Sequence, residues 1–199
     1  METLSYINYI IAIIFTLCYC YQFFYVIVPW LFAKKKSKAP VTDHKYAVLI
    51  AARNEEVVIG NLIESINNQK YDSSLVKVFV VADNCTDKTA EIARSFGATV
   101  YERFNKERVG KGYAMEYLLD RINADYGWDS FDGYFVFDAD NVLDENYIAE
   151  MNKTFSQGYS IITGYRNSKN YGDNWISAGY GLWFLRESQY LNRSRMCLG

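Results

Sequence analysis

From Leu4 to Phe32 the chain carries no charged residue, and only Ser5, Asn8, Thr16 and Gln22 interrupt its apolar and aromatic character. A run of this length exceeds the ~20 residues that cross a bilayer and leaves a surplus for tilt or for the interface. A cleaved signal peptide is the competing reading. Its apolar region is shorter, about 7–15 residues, and follows a basic start, whereas here Met1-Glu2 opens the chain and the basic residues come afterwards. The expectation is an uncleaved anchor over residues 1–33. Tyr6, Tyr9, Tyr25 and Trp30 are placed near the two interfaces, and Tyr19 and Tyr21 fall mid-span, where they can face another helix. Lys34, Lys35, Lys36 and Lys38 follow directly. The positive-inside rule then sets the amino terminus outside and everything after Lys34 in the cytoplasm. Residues 34–44 read as a basic and polar linker containing Pro40, with His44 solvated.

The remaining residues, 45–199, are enough for one domain with a real core. A net charge of -2 gives no reason to expect nucleic acid as a partner. Cys18, Cys20, Cys85 and Cys197 form no CxxC pair and have no histidines at zinc spacing, so a reducing compartment fits better than a disulfide framework.

Beyond the linker, short apolar runs alternate with helical patterns. Lys45–Ala51 reads as a first strand. Asn54 is a candidate helix N-cap with Glu55 and Glu56 in the first turn, followed by Val58, Ile59, Leu62, Ile63 and Ile66 at helical spacing. Val76–Val81 is a second, buried strand. A helix with Ala90, Ala93 and Phe96 inward closes at Gly97, and Ala98–Tyr101 is a third strand. After a charged loop and Gly110-Lys111-Gly112, a helix shows Ala114, Leu118 and Ile122 on one face. Tyr134–Phe137 reads as a buried strand ending in Asp138-Ala139-Asp140-Asn141. Asp144 can cap a helix with Ile148, Met151 and Phe155 inward, Tyr159–Thr163 reads as another strand, and Trp175–Met196 as a last helix. Such alternation implies a mostly parallel sheet flanked by helices with right-handed crossovers.

In open parallel sheets, ligands bind beyond the carboxyl ends of the strands. Arg53, Asn54 and Glu55 follow strand one, Asp83 and Asn84 follow strand two, and Asp138 and Asp140 end a later strand. If the extended geometry persists, the last two acids share one side. They then offer hard oxygens to Mg²⁺ or Mn²⁺, which keeps waters and substrate phosphates in its other positions. The alternative is a pair of solvated turn residues. Asp83 can accept from a base imide N–H and Glu55 from ribose hydroxyls, or the two can be a turn residue and a helix-dipole partner. Lys111 lies between glycines that let the backbone approach closely. Neither a P-loop nor a Gly-x-Gly-x-x-Gly dinucleotide fingerprint is present.

Ala52-Arg53-Asn54-Glu55-Glu56, Val80-Val81-Ala82-Asp83-Asn84-Cys85-Thr86-Asp87, Gly110-Lys111-Gly112 and Asp138-Ala139-Asp140-Asn141, in this order, resemble the family 2 glycosyltransferases. The likeness is strongest to their membrane-bound branch of cellulose- and hyaluronan-synthase-like enzymes. It runs from about Lys45 to Gly199 and implies a nucleotide-sugar-binding α/β fold (glycosyltransferase A-type) of which this chain holds the amino-terminal, donor-binding part. It also implies inverting transfer from a nucleotide-diphospho-sugar, with uridine as base, to a carbohydrate or lipid-linked acceptor. By resemblance, Ala51, Arg53, Glu55, Asp83, Lys111 and Asp138 line the donor site, and Asp140, with Asp138 beside it, holds Mg²⁺ or Mn²⁺. Ala82 stands where many relatives carry a first acid.

The catalytic base of the family is an acid downstream of the metal pair. Of Asp144, Glu145, Glu150, Asp173 and Glu187, none has the family context, so the base is expected beyond Gly199 and this chain is expected to be incomplete for catalysis, with Glu187 on the last helix the remaining candidate inside it. Three readings stay open: a transferase, a nucleotide-sugar-binding module without transfer, and a nucleotidyltransferase. The third is disfavoured because Ala51–Glu55 is not a Gly-rich, Arg-containing loop.

Overall fold

The computed structural model describes residues 2–32 and 40–198. Two compact units are present. One is Ala39–Ser160; the other brings the N-terminal helices together with the segment from Ile161 onward. The basic run Lys34–Lys38, on which the expected orientation rests, lies outside the described residues.

Unit Ala39–Ser160 is built on four parallel strands: β1 (Tyr46–Ala52), β2 (Val76–Asp83), β3 (Thr99–Arg103) and β4 (Gly133–Asp138), in the order β3-β2-β1-β4. β1 is buried on both faces because helices cover each side. On one side, Tyr46, Val48, Ile50, Val78, Val80 and Phe137 pack against α3 (Ile59–Asn67), α4 (Thr89–Ser95) and α6 (Tyr147–Phe155). On the other, Ala47, Leu49, Phe79 and Val81 pack against Ala114, Leu118 and Ile122 of α5 (Lys111–Tyr126). These three residues recur at helical spacing, as expected from the sequence.

The chain runs outward from β1 to β2 to β3, then returns through α5 to pair β4 with the opposite side of β1. The winding therefore reverses between β1 and β4, the kind of crevice where open α/β sheets bind ligands.

Several expectations are corrected. β4 is an edge strand of the described sheet, with Val136 54% exposed, so it is half-buried and alternating instead of buried throughout. Asn54 is no N-cap: it adopts φ +54°, the helix begins five residues later, and its side-chain oxygen accepts from Thr86 instead. Asp144 likewise stands two residues before the helix-capping position at Asn146, and its carboxylate accepts from the Asn146 backbone. Tyr159–Thr163 forms no strand, and Ile161 is 89% exposed. A short apolar run between glycines becomes a strand only where a ladder partner takes up its N–H and C=O groups. His44 is not a solvated linker residue. Its Nδ1 lies 3.0 Å from Asn152 Oδ1, its ring meets Phe155 edge-on, and its backbone exchanges hydrogen bonds with the Tyr71 hydroxyl. The same Asn152 oxygen accepts from Tyr46, whose burial raises its phenol pKa.

The second unit contains α1 (Glu2–Tyr19), α2 (Tyr21–Phe32), α7 (Trp175–Arg186), a π-helical segment (Glu187–Asn192) and α8 (Arg193–Leu198). Residues 5–32 are apolar and long enough to cross a membrane, and most of their helical surface is exposed, Val28 and Pro29 of α2 being buried. The last helix is present as expected, apart from its π-helical middle.

Candidate active site

The strand register brings the polar strand ends to one edge. Ala51 of β1 lies opposite Val81 on one side and Asp138 on the other. Asp83 is two residues beyond Val81, so Asp83 and Asp138 flank β1 at a separation of about 12 Å. A nucleoside diphosphate can bridge that span.

Two loops make the floor of this edge. Asn54 and Asn84 follow β1 and β2 and both take positive φ, a conformation asparagine tolerates better than most residues. The Glu55 backbone N–H donates to Thr89 Oγ1, the Glu56 N–H to Asp87, and the Lys88 N–H returns to the Glu56 carboxylate. Glu55 is thus fixed by its backbone and half-buried, with its own carbonyl accepting the first bonds of the α3 turn. Asp87 sits below the usual carboxylate range: desolvation, the largest single influence, pushes upward, but bonds from the Thr89 hydroxyl and nearby backbone N–H groups together outweigh it.

Asp83 is the most enclosed acid of the edge, its side chain only 6% exposed. Arg103 Nη1 donates to Oδ1 and Arg53 Nη2 donates to Oδ2, each at 2.6 Å, while Asn84 adds a third bond at 3.1 Å to Oδ1. A carboxylate offers about four acceptor positions, so one remains, on Oδ2 beside Arg53. Arg53 is 43% exposed and Arg103 only 7%. The more open approach to Asp83 is therefore on the Arg53 side, where the guanidinium is also held by its Nε, which donates to the Asp83 carbonyl at 3.1 Å.

Arg103 was missed in the sequence, where it read as part of a charged loop. Its signal was its place: it ends β3 and lies opposite Asp83 in the parallel register. Its second nitrogen donates to the Arg108 carbonyl, and Asn105 caps the Glu107 and Arg108 N–H groups, so the loop leading to Gly110 is folded onto the same cluster. Gly110 adopts φ +137°, which side-chain-bearing residues rarely take, and launches α5 with Lys111 as its first residue.

Lys111 Nζ forms an ion pair with Asp138 Oδ1. The chain turns immediately after, with the Asn141 N–H returning to the Asp138 carbonyl at 3.0 Å, so extended geometry does not continue to Asp140. The Asn141 side chain donates to Asp140 Oδ1. Among the described residues no three acid, histidine or cysteine side chains converge to make a protein-only metal cage. A pair of exposed carboxylates at a turn fits the other kind of site, in which Mg²⁺ or Mn²⁺ takes one or two acids and fills its shell with water and phosphate. Glu187 lies on the π-helical segment of the second unit. Asp144, Glu145 and Glu150 are engaged locally, with Asn146, Lys70 and Lys153 respectively.

An open parallel sheet with acids at its switch point is a doubly wound type of α/β architecture with a candidate ligand crevice at that point. The chain belongs to the family described as "Glycosyltransferase like family 2", whose pattern matches residues 44–198. Among curated proteins, it is similar to the 4,4'-diaponeurosporenoate glycosyltransferase of Staphylococcus aureus, 46% identical over 68 residues. That stretch is 34% of this chain and spans 17% of the relative's length. Among solved structures, the fold is similar to the mannosyltransferase PcManGT from Pyrobaculum calidifontis, solved in complex with GDP-Man and Mn²⁺. The TM-score is 0.56 at 19% identity, over 69% of this chain and 41% of that one.

Proposed function

We propose that the chain is the donor-binding part of an inverting glycosyltransferase that takes a nucleotide-diphospho-sugar and acts at a membrane. The observation that carries the reading is the arrangement of Asp83, Lys111 and Asp138 around the end of β1, in a chain of this family. Asp83 and Glu55 receive the nucleoside, with Arg53 moving off Oδ2 to admit a base or ribose donor. Lys111 is the counter-ion of Asp138 before the donor arrives. It then turns to the diphosphate, freeing Asp138 to stand with Asp140 at the divalent ion. A divalent ion held there, Mg²⁺ or Mn²⁺, would supply Lewis-acid stabilisation of the departing nucleoside diphosphate. Gly110 and the α5 amino terminus let the backbone approach the phosphates without side-chain obstruction.

Inversion requires an acceptor hydroxyl attacking from the face opposite the leaving group and one base to take its proton. The membrane-bound branch of the family is the reading supported by the apolar N-terminal helices, and a catalytic unit on the cytoplasmic side is the reading supported by the lysines that follow them in the sequence. A glycolipid product is supported by the relative named for 4,4'-diaponeurosporenoate; a polysaccharide is the alternative. Uridine is the base the motif resemblance implies, and guanosine is the base carried by the structural neighbour's donor.

The test is transfer. The purified chain in vesicles is incubated with labelled UDP- and GDP-sugars, with and without Mn²⁺ or Mg²⁺, and label is followed into the lipid-extractable and polymer fractions. Divalent-dependent binding of the nucleotide sugar, with little or no label in either fraction, is expected of a donor-binding part whose base is unassigned. Divalent-dependent label in the lipid fraction would show that the base lies within these residues, with Glu187 the first acid to replace. Pyrophosphate release from a sugar phosphate and a nucleoside triphosphate would identify a nucleotidyltransferase.

A further inference from the structure

The apolar N-terminal run is not one helix: α1 ends at Tyr19, Cys20 occupies a turn, and α2 starts at Tyr21. Just past the break, two polar bonds join α2 to the C-terminal helices of the same unit. Arg186 Nη2 donates to Gln22 Oε1 at 2.7 Å, and the Ser194 hydroxyl donates to the Tyr25 carbonyl.

The depth of Gln22 follows from helix geometry. Residues 5–32 as helix measure about 42 Å, against about 30 Å of hydrocarbon. Centred on the bilayer, Gln22 would lie about 5 Å from the midplane and would hold the Arg186 guanidinium there with it. An arginine at that depth is strongly disfavoured, and Gln22 is a neutral amide that cannot offset its charge. Placing Gln22 at the water boundary removes the conflict. Residues 5–21 then cross alone, about 26 Å of helix, within the range that spans a bilayer.

We infer that the lipid–water boundary falls at Tyr19–Gln22, and that α2 together with Trp175–Leu198 forms an amphipathic body seated on a bilayer surface rich in anionic headgroups. The inference rests on the membrane reading of the apolar run. Three further observations support it. Tyr19 and Tyr21 are exposed at the break, and Tyr6 and Tyr9 at the far end, which gives an aromatic girdle at each boundary. In α7, Ser177 and Gly181 turn inward, the latter against the Tyr171 ring, leaving Trp175, Ile176, Tyr180 and Trp183 exposed. Residues 175–198 carry Arg186, Arg193 and Arg195 against Glu187 alone, a basic balance suited to anionic lipid.

The test uses the full chain in phosphatidylcholine–phosphatidylglycerol vesicles whose acyl chains are brominated at shallow or deep positions. Trp30, Trp128, Trp175 and Trp183 are replaced by Phe, and single reporters are restored: Phe15→Trp, Phe24→Trp, or native Trp183. Far-UV circular dichroism confirms that each variant keeps its helices. Deep bromines should quench Phe15→Trp most, whereas shallow bromines should quench Phe24→Trp and Trp183 several-fold more than deep ones do. Deep quenching of Phe24→Trp equal to that of Phe15→Trp overturns the boundary. Trp183 quenched only by aqueous acrylamide, or shielded from both quenchers as a second copy of the chain would shield it, overturns the surface contact. In those cases the span itself stands. Phe15→Trp escaping lipid quenching removes the span reading, and this inference with it.

Discussion

Replacing Arg103 by Met should be among the costliest single changes at the strand-end cluster. The Arg103–Asp83 pair is 7% and 6% exposed with a 2.6 Å contact, so solvent screens it little. Breaking a buried pair costs about 3–5 kcal/mol because the remaining charge is left without its partner. Arg53 and Asn84 still bond the carboxylate, which lowers the figure, while loss of the Arg108 carbonyl bond adds to it. A cost of about 3 kcal/mol results. Arg53→Met removes a 2.6 Å bond to Oδ2 and a 3.1 Å bond from Nε to the Asp83 carbonyl, both from a 43% exposed guanidinium, and about 1 kcal/mol is expected there. In thermal unfolding of the detergent-solubilised chain, about 10 °C and about 3 °C of lost Tm should distinguish the two. A double-mutant cycle with Asp83→Asn should show coupling of about 2 kcal/mol for Arg103. Equal costs for the two arginines, or full additivity in the cycle, would refute the reasoning.

Lys111→Met should have opposite effects on two ligands. Nucleoside diphosphate affinity should fall roughly ten-fold with loss of one charge-assisted contact, while Mn²⁺ binding without nucleotide should strengthen because Asp138 loses its competitor. Weakening of both, followed by calorimetry, would contradict the hand-over. Gly181→Ala should destabilise the second unit by about 1–3 kcal/mol, since a Cβ there would meet the Tyr171 ring at 2.5 Å; an unchanged melting profile would count against that close approach. Burial pushes the Cys85 thiol pKa up, outweighing bonds from the Asn54 backbone and Thr89. Its contribution to stability is therefore present below the ordinary thiol pKa and is lost as pH rises through the folded value. At pH near 8.5, iodoacetamide should modify Cys85 far more slowly in the native chain than in urea, read by peptide mass spectrometry; equal rates would contradict it.

The sheet was legible because its central strands are buried on both faces and read as unbroken apolar runs, and α5 because Ala114, Leu118 and Ile122 keep a strict helical period. The edge was less legible. Val136 looks like a core residue in a string of aromatics, and only the strand order reveals that nothing in the described sheet pairs beyond β4. Tyr159–Thr163 failed for a related reason, since composition does not say whether a ladder partner exists. The candidate acids were legible as strand-end residues, and the register brings Asp83 and Asp138 to one edge. Arg103 was not legible, because its importance lies in a lateral neighbour twenty residues away. Asn54 looked like a cap, yet its use is conformational: it takes a positive φ and stitches the first loop to the second.

The central claim is that a nucleoside diphosphate binds with a divalent ion at the β1–β4 crevice. Titration calorimetry of UDP and GDP into the full chain, with and without Mn²⁺, compared across wild type, Asp140→Asn and Asp144→Asn, addresses it directly. Asp140→Asn should abolish the gain in affinity that Mn²⁺ gives the wild type. Asp144→Asn, which removes a carboxylate engaged with the Asn146 backbone, should leave that gain intact. Small and equal effects of the two substitutions would contradict the account.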